Sequence, residues 1–347
     1  MKIAFVGFGG VGQALAEILE DKKEVLSKQY GLNATVVAVS DMMKGAAYDP
    51  DGLNIPQLLT AVREEGRVDA YPNAKEYGLD SLETIKHTNA DLIVEVTFTD
   101  VQTGQPAIDH CEAAFKHGKS VVTTNKGPVA LKLEELQAVA NENSCFFGFE
   151  GTVMSGTPAL RLPKTTLMGN DIYEVVGILN GTTNYILTEM EKGLSFDQAL
   201  KQAQEFGYAE ADPTSDIEGY DVRYKAAILS HYVMGEKVNA LDIPCTGIAD
   251  LTDEMIQSAI NENKRWKLLA RIRKTDQGVE VRVGPEKIDA THPLASVQGA
   301  TNAILYECDL SGPIMLTGAG AGLKETGFSL LIDLIHAYQV DQKISVS

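Results

Sequence analysis

Gly7-Phe8-Gly9-Gly10-Val11-Gly12 is a G-x-G-x-x-G run that follows the apolar stretch Lys2 to Val6 and opens a helical pattern. Gly7 permits the tight turn, Gly9 lets the backbone approach a pyrophosphate, and Gly12 allows close helix packing. The helix start, with Gly10 and Val11, supplies amide donors at the positive end of the helix dipole. The pattern predicts dinucleotide binding. Asp41 ends the second expected strand, where a carboxylate accepts hydrogen bonds from ribose hydroxyls and favours NAD, while Lys44 keeps NADP open. The alternative for Asp41 is a loop cap. Thr97 lies at the carboxyl edge of a further strand, where ligands of such sheets bind.

A second constellation follows Asp212-Pro213, which breaks one helix. Asp216 is placed to cap the next helix, and Asp221 and Lys225 fall one turn apart on a face shared with Ile228 and Tyr232. From helix statistics alone an exposed i,i+4 ion pair is the more frequent explanation, although the shared apolar face argues against full solvation. Lys126, by residue type alone, reads as a solvated loop lysine.

The elements that must position these residues alternate in the first half as a helix-covered parallel sheet requires. Strands are expected at Lys2 to Val6, Ala34 to Val39, Leu92 to Val96, Ser120 to Thr123 and Cys145 to Phe149. Helices are expected over Gly10 to Gln29, ended by Gly31, over Ala107 to Lys116 and over Leu131 to Asn141. Met42 to about Gly66 reads as an excursion from the sheet containing a short helix. After about residue 150 come a strand at Tyr173 to Leu179 and helices near 181–191, 195–206, 217–234 and 252–270. Short strands over 279–317 and a last helix near 323–338 follow. The fold class expected is α/β, a Rossmann-type doubly wound parallel sheet domain plus an α+β domain. The first domain is expected over 1–130, completed by the C-terminal helix 320–347, with the α+β domain over 131–319.

Composition narrows the partners. The formal net charge is −18 at a pI near 4.8, which argues against nucleic acid and anionic membrane surfaces. Neither a signal-peptide pattern nor an apolar run approaching the roughly 18 residues of a membrane span is present, so a cytoplasmic protein is expected. Cys111, Cys145, Cys245 and Cys308 are widely spaced and read as buried free thiols rather than a zinc site or disulfide framework.

The stretch from Ala203 to Lys225, with Gly207, Asp212-Pro213, Asp216, Gly219, Asp221 and Lys225, resembles the homoserine dehydrogenase signature at every fixed position. Val121 to Lys126, Ile178-Leu179-Asn180-Gly181-Thr182-Thr183-Asn184-Tyr185-Ile186-Leu187, His292 to Ala295 and Gly318 to Gly322 resemble other segments of that family, so the resemblance covers nearly the whole chain.

It implies reversible reduction of L-aspartate 4-semialdehyde to L-homoserine with NAD or NADP, by a homodimer whose catalytic and dimerisation domain, 131–319, holds the small-molecule substrate and forms the dimer interface. By the same resemblance, Lys225 gives the proton to the carbonyl oxygen and Lys126 is its partner at the reacting centre and the cofactor. Glu210, Asp216 and Asp221 hold substrate, and Gly207 and Gly322 contact the cofactor. Hydride delivered to an aldehyde leaves an alkoxide, which an ammonium both stabilises and protonates. Two lysines at one centre would also lower each other's pKa.

Glu150 and the backbone carbonyls of Val153, Ser155 and Thr157 resemble the family's sodium loop, although Met154 and Ser155 stand where glycine or alanine is usual; the competing reading is a Gly-rich hinge. Gly127-Pro128-Val129-Ala130 departs from the family as a turn after Lys126. The end of the chain at Ser347 leads to the expectation of no added regulatory domain and no threonine feedback. The competing functions are a nonenzymatic dinucleotide sensor and a dehydrogenase of another amino-acid aldehyde.

Overall fold

The computed structural model describes residues 1–100 and 102–346, with side chains through residue 341. Ser347, included in the expected C-terminal helix, lies outside the described residues. Contacts divide the chain into two units, Met1–Ser155 joined by the segment from Gly322 onward, and Gly156–Ala321.

In the first unit β1 (Lys2–Val6) turns through the glycines into α1 (Gly10–Asp21), and α2 (Lys23–Tyr30) follows. The single helix expected over Gly10 to Gln29 is therefore two, because Lys22 leaves helical geometry at φ −103°, ψ 4°. Gly31 ends α2 in the left-handed region at φ 70°. β2 (Thr35–Asp41) runs parallel to β1, and β3 (Gly45–Tyr48) folds back antiparallel onto β2. The sequence reading missed β3, since Gly-Ala-Ala-Tyr carries little strand signal.

Next come α3 (Ile55–Glu65), β4 (Glu76–Tyr77), α4 (Ser81–His87), β5 (Leu92–Glu95), α5 (Ala107–Lys116) and β6 (Ser120–Thr123). α6 (Lys126–Glu142), β7 (Phe147–Gly148) and α7 (Gly151–Met154) complete this stretch. α6 starts five residues before the expected Leu131 and takes in Gly127 and Pro128, because proline is tolerated in a helix's first turn; the expected turn there is absent. The sheet order is β4-β3-β2-β1-β5-β6-β7, with parallel pairing from β2 through β7. Because β7 pairs with β6, the first unit runs to Ser155, past the boundary expected at 130.

The core of this unit joins Phe5, Val39 and Val94 of the sheet to Leu15 on α1 and to Leu330 and Leu334 of the C-terminal helix. Burying each such side chain stabilises by roughly 1.5–3 kcal/mol. That helix crosses α1 closely at Gly327, where an added Cβ would lie 3.1 Å from Leu15 N.

The second unit contains α8 (Arg161–Thr165), β8 (Ile172–Ile178), α9 (Gly181–Glu191), α10 (Phe196–Glu205), α11 (Thr214–Ile217), α12 (Tyr220–Tyr232) and α13 (Asp253–Asn261). β9 (Lys264–Thr275), β10 (Gly278–Asp289), β11 (Thr301–Cys308) and β12 (Gly312–Ala319) follow, and the C-terminal helix of the first unit is α14 (Leu323–Val346). The five-stranded sheet is antiparallel in the order β10-β9-β8-β11-β12. The helix expected over 252–270 stops at Asn261. Residues from Lys264 pair with β10 along twelve positions, and that ladder overrides their helical propensity. α14 also continues well past the expected 338.

Candidate active site

In the first unit, the turn after β1 is built by Gly7 at φ 89°, where an added Cβ would meet Val96 O at 2.5 Å. Gly7 N–H donates to Ser40 O (2.8 Å), and Phe8 N–H donates to Asp41 Oδ2 (2.8 Å). The loop is thus pinned to the end of β2. An added Cβ at Gly9 would have nothing within 4 Å, while Gly12 lies against Gly7 O and Phe8 and Gly10 against Leu323. The N-cap of α1, Gly9, carries no side-chain cap, and the first turn has no acidic residue. The first intrahelical bond is Gln13 N–H to Gly9 O (3.0 Å), so the amides of Gly10, Val11 and Gly12 precede it. An open cradle and a helix start without a competing carboxylate fit the pyrophosphate of a dinucleotide.

Asp41 does cap a turn. Its Oδ1 accepts from Met43 N–H and Lys44 N–H (both 3.0 Å), and Lys44 Nζ lies 3.7 Å from Oδ2. Burial pushes its pKa up. The N–H donors of Phe8, Met43 and Lys44, with the Lys44 charge, outweigh that and hold the carboxyl below its ordinary value.

Thr97, just past β5, donates its hydroxyl to Glu95, as do Asn125 Nδ2 and the Thr123 hydroxyl. Asn125 Nδ2 also donates to Thr97 O (3.0 Å) and stands as the N-cap of α6, directly before the half-buried Lys126. Sequence reasoning missed Glu95 and Asn125; a lone acid closing an apolar strand was the available signal.

Glu150 is buried, and its N–H donates to Asp333 Oδ2 (3.0 Å). Val153 is buried, Ser155 adopts φ 50° with its hydroxyl bonded to Thr326 (2.9 Å), and Gly322 adopts φ 133°. Thr157 belongs to the second unit, where its hydroxyl donates to Ala319 O (3.4 Å). Among the described residues no group of three or more His, Cys, Asp or Glu is disposed to hold a metal; carbonyl ligation is a separate chemistry.

In the second unit, α12 carries Asp221 and Lys225 on one face, as their spacing requires. Lys225 Nζ donates to Asp221 Oδ2 (2.7 Å) and to Leu179 O (2.6 Å), with the two side chains only 8% and 15% exposed. The solvated ion pair is therefore excluded.

Asp216 does not cap α12, whose N-cap is Gly219 at φ 77° with no side-chain bond. Its carboxylate instead accepts from Asn180 Nδ2 (2.7 Å) and Thr182 Oγ1 (2.9 Å). Asn180 Nδ2 also reaches Asp221 Oδ2 (3.1 Å), while its Oδ1 caps α9 at Thr183 N–H (2.9 Å). Burial first, then the Asp221 charge, pushes the Asp216 carboxyl up, against the hydrogen bonds of Asn180 and Thr182 and the Lys225 charge. Asn180 and Thr182 were missed as site residues; the signal was an Asn-Gly-Thr directly after a strand. Glu210 and Gly207 lie on the loop whose Tyr208 O accepts from Thr182 Oγ1 (2.6 Å). Both are exposed, Glu210 accepts at its backbone oxygen from Gln204 Nε2 (3.1 Å), and Gly207 at φ 74° follows the C-cap of α10.

Among the described residues no helix is long and apolar enough to cross a membrane. The four cysteines are free, but Cys245 is only half-buried, against the expectation of burial for all four.

Comparisons with known proteins agree across the chain. Residues 7–150 match the family model for the homoserine dehydrogenase NAD binding domain, and residues 158–335 match that for homoserine dehydrogenase. The NAD(+)-dependent homoserine dehydrogenase of Pseudomonas canavaninivorans is 43% identical, over 97% of this chain and 96% of that one. A putative homoserine dehydrogenase structure from Archaeoglobus fulgidus has a TM-score of 0.87 at 34% identity, covering 97% of this chain and 99% of the other. A hyperthermophilic archaeal homoserine dehydrogenase in complex with NADPH has a TM-score of 0.82 at 30% identity, covering 97% of each chain. The chain belongs to the homoserine dehydrogenase family.

Proposed function

We propose that the protein interconverts L-homoserine and L-aspartate 4-semialdehyde, using Lys225 as the proton-transfer group. The observation that carries this is the buried Lys225 ammonium bonded to Asp221 and to Leu179 O, in a cluster completed by Asp216, Asn180 and Thr182. A nicotinamide dinucleotide, when bound, supplies or accepts the hydride. Gly7, Gly9, Gly10, Val11 and Gly12 hold its pyrophosphate, Asp41 its adenosine ribose, and Thr97, Lys126, Gly207 and Gly322 contact it further.

In the reducing direction Lys225 Nζ gives its proton to the substrate oxygen as negative charge develops there, and in oxidation it takes the proton back. Leu179 O and Asp221 Oδ2 keep Nζ aimed, and Asp221 keeps it charged until that moment. Asp216, Asp221 and Glu210 bind the substrate's ammonium, and Lys126 adds a second positive charge at the reacting oxygen. Asp41 favours NAD through its charge, with Lys44 admitting NADP. A sodium ion on Glu150 and the carbonyls of Val153, Ser155 and Thr157, a homodimer through the second unit and a cytoplasmic location complete the reading.

The test is the purified protein with L-homoserine and NAD or NADP, followed by nicotinamide absorbance. Cofactor binding without turnover would favour a dinucleotide sensor, and turnover of another hydroxy amino acid in preference to homoserine would assign a different substrate.

A further inference from the structure

Glu95 closes β5 with 0% exposure, an ionisable group that the proposed reaction leaves without a task. Its Oε1 accepts from the Thr97 hydroxyl and lies 3.2 Å from Nδ1 of His110 on α5; its Oε2 accepts from the Thr123 hydroxyl (3.2 Å) and from Asn125 Nδ2. A carboxylate only accepts, so every group facing it must donate. Nδ1 of His110 therefore carries its proton, and both threonine hydroxyls direct their hydrogens inward.

Asn125 uses the remaining hydrogen of its amide on Thr97 O (3.0 Å). Thr97 and Asn125 are only half-buried, and what each retains is an acceptor, the Thr97 Oγ1 lone pairs and Asn125 Oδ1. At the carboxyl ends of β5 and β6, directly before Lys126, the hub fixes these two side chains as acceptors. Acceptors so placed suit the amide donors of a ligand. Within the same unit, the pyrophosphate and adenosine ribose already have their partners in the glycine loop and Asp41.

We infer that Glu95, braced by His110, is the positioning residue for the nicotinamide ring of the dinucleotide: it presets Thr97 and Asn125 as acceptors for the carboxamide N–H groups of that ring. This rests on the dinucleotide reading of the first unit.

Glu95→Gln tests it, since a glutamine must push an N–H into a ring of donors. Calorimetric titration compares NAD with ADP-ribose, which lacks only the nicotinamide. The variant is expected to bind ADP-ribose within about twofold of the parent and NAD at least roughly tenfold more weakly, the loss expected for a disrupted charge-assisted hydrogen bond. Its kcat falls while KM for homoserine holds. Should Glu95→Gln fail to fold, Thr97→Val reads the same selective loss of NAD, and Thr97→Ser, which keeps the hydroxyl, restores it. Equal weakening of both ligands, or of neither, overturns the inference. A parent protein that binds neither NAD, NADP nor ADP-ribose instead overturns the dinucleotide reading beneath it.

Discussion

Lys225→Met keeps an unbranched side chain in the space beside Ile228 and removes only the ammonium. Asp221 then loses the cation at 2.7 Å, and Asp216, already pushed up by burial and by the Asp221 charge, loses the Lys225 charge that offsets them. Removing one partner of a fully buried pair costs about 3–5 kcal/mol, and the 15% exposure of Asp221 places this case at the lower end, about 3 kcal/mol. Adding Asp221→Asn removes the stranded charge and should return about 1–2 kcal/mol.

Chemistry follows a different account. Loss of a general acid lowers kcat by about 10²–10⁴-fold, and nothing in the second substitution restores a proton donor. Urea midpoints at constant slope read the first effect, and nicotinamide absorbance at saturating cofactor and homoserine reads the second. The single variant should lose both stability and turnover, and the double variant should regain stability alone. A Lys225→Met protein within about threefold of parental kcat, far short of a general acid's contribution, would remove Lys225 from proton transfer. Recovery of turnover in the double variant would show that the defect was electrostatic disorder in the cluster.

Asp41→Asn keeps an acceptor for the Met43 and Lys44 amides and deletes the charge, so kcat/KM for NADP relative to NAD should rise by about tenfold; an unchanged ratio means that Asp41 serves only as the cap. Asp216 has a folded pKa raised above 3.8, so its contribution to stability is fully present below that value and is lost as pH rises through the folded pKa. Urea stability of the parent minus that of Asp216→Asn should therefore decline with rising pH across this window, and an increase would contradict the burial argument. Glu210→Gln lies on an exposed loop and should leave the urea midpoint in place while lowering kcat/KM for homoserine by roughly tenfold, the loss of one charge-assisted contact. Unaltered kcat/KM would take Glu210 out of the substrate site.

Local signals carried much of the fold. α5 and β6 have the bounds their residues imply, because periodicity and a Gly118 turn agree there. Where the reading failed, a distant partner decided the outcome. Lys264 to Thr275 is rich in helix formers, and it is a strand because β10 and β8 pair on either side of it. The short β3 exists through its bonds to β2 and β4 rather than through its own residues. Lys22 separates α1 from α2 although apolar spacing runs through both, so periodicity alone does not register the junction.

The candidate site was legible as residue types and much less as hydrogen-bond allocation. Spacing put Asp221 and Lys225 together, but burial of the pair depends on Leu179 and Asn180, brought from another element. Asp41 shows the limit most directly, because the two readings weighed for it draw on one carboxylate. Oδ1 is taken by Met43 and Lys44 amides, and Oδ2 accepts from Phe8 N–H with Lys44 Nζ at 3.7 Å. A carboxylate offers about four lone-pair sites, so what is left for a ribose hydroxyl is on Oδ2, beside the cation that would meet a 2′-phosphate. Closing the glycine loop and choosing the nucleotide thus compete for the same atom, and a substitution at Asp41 that shifts cofactor preference must also loosen the turn at Phe8.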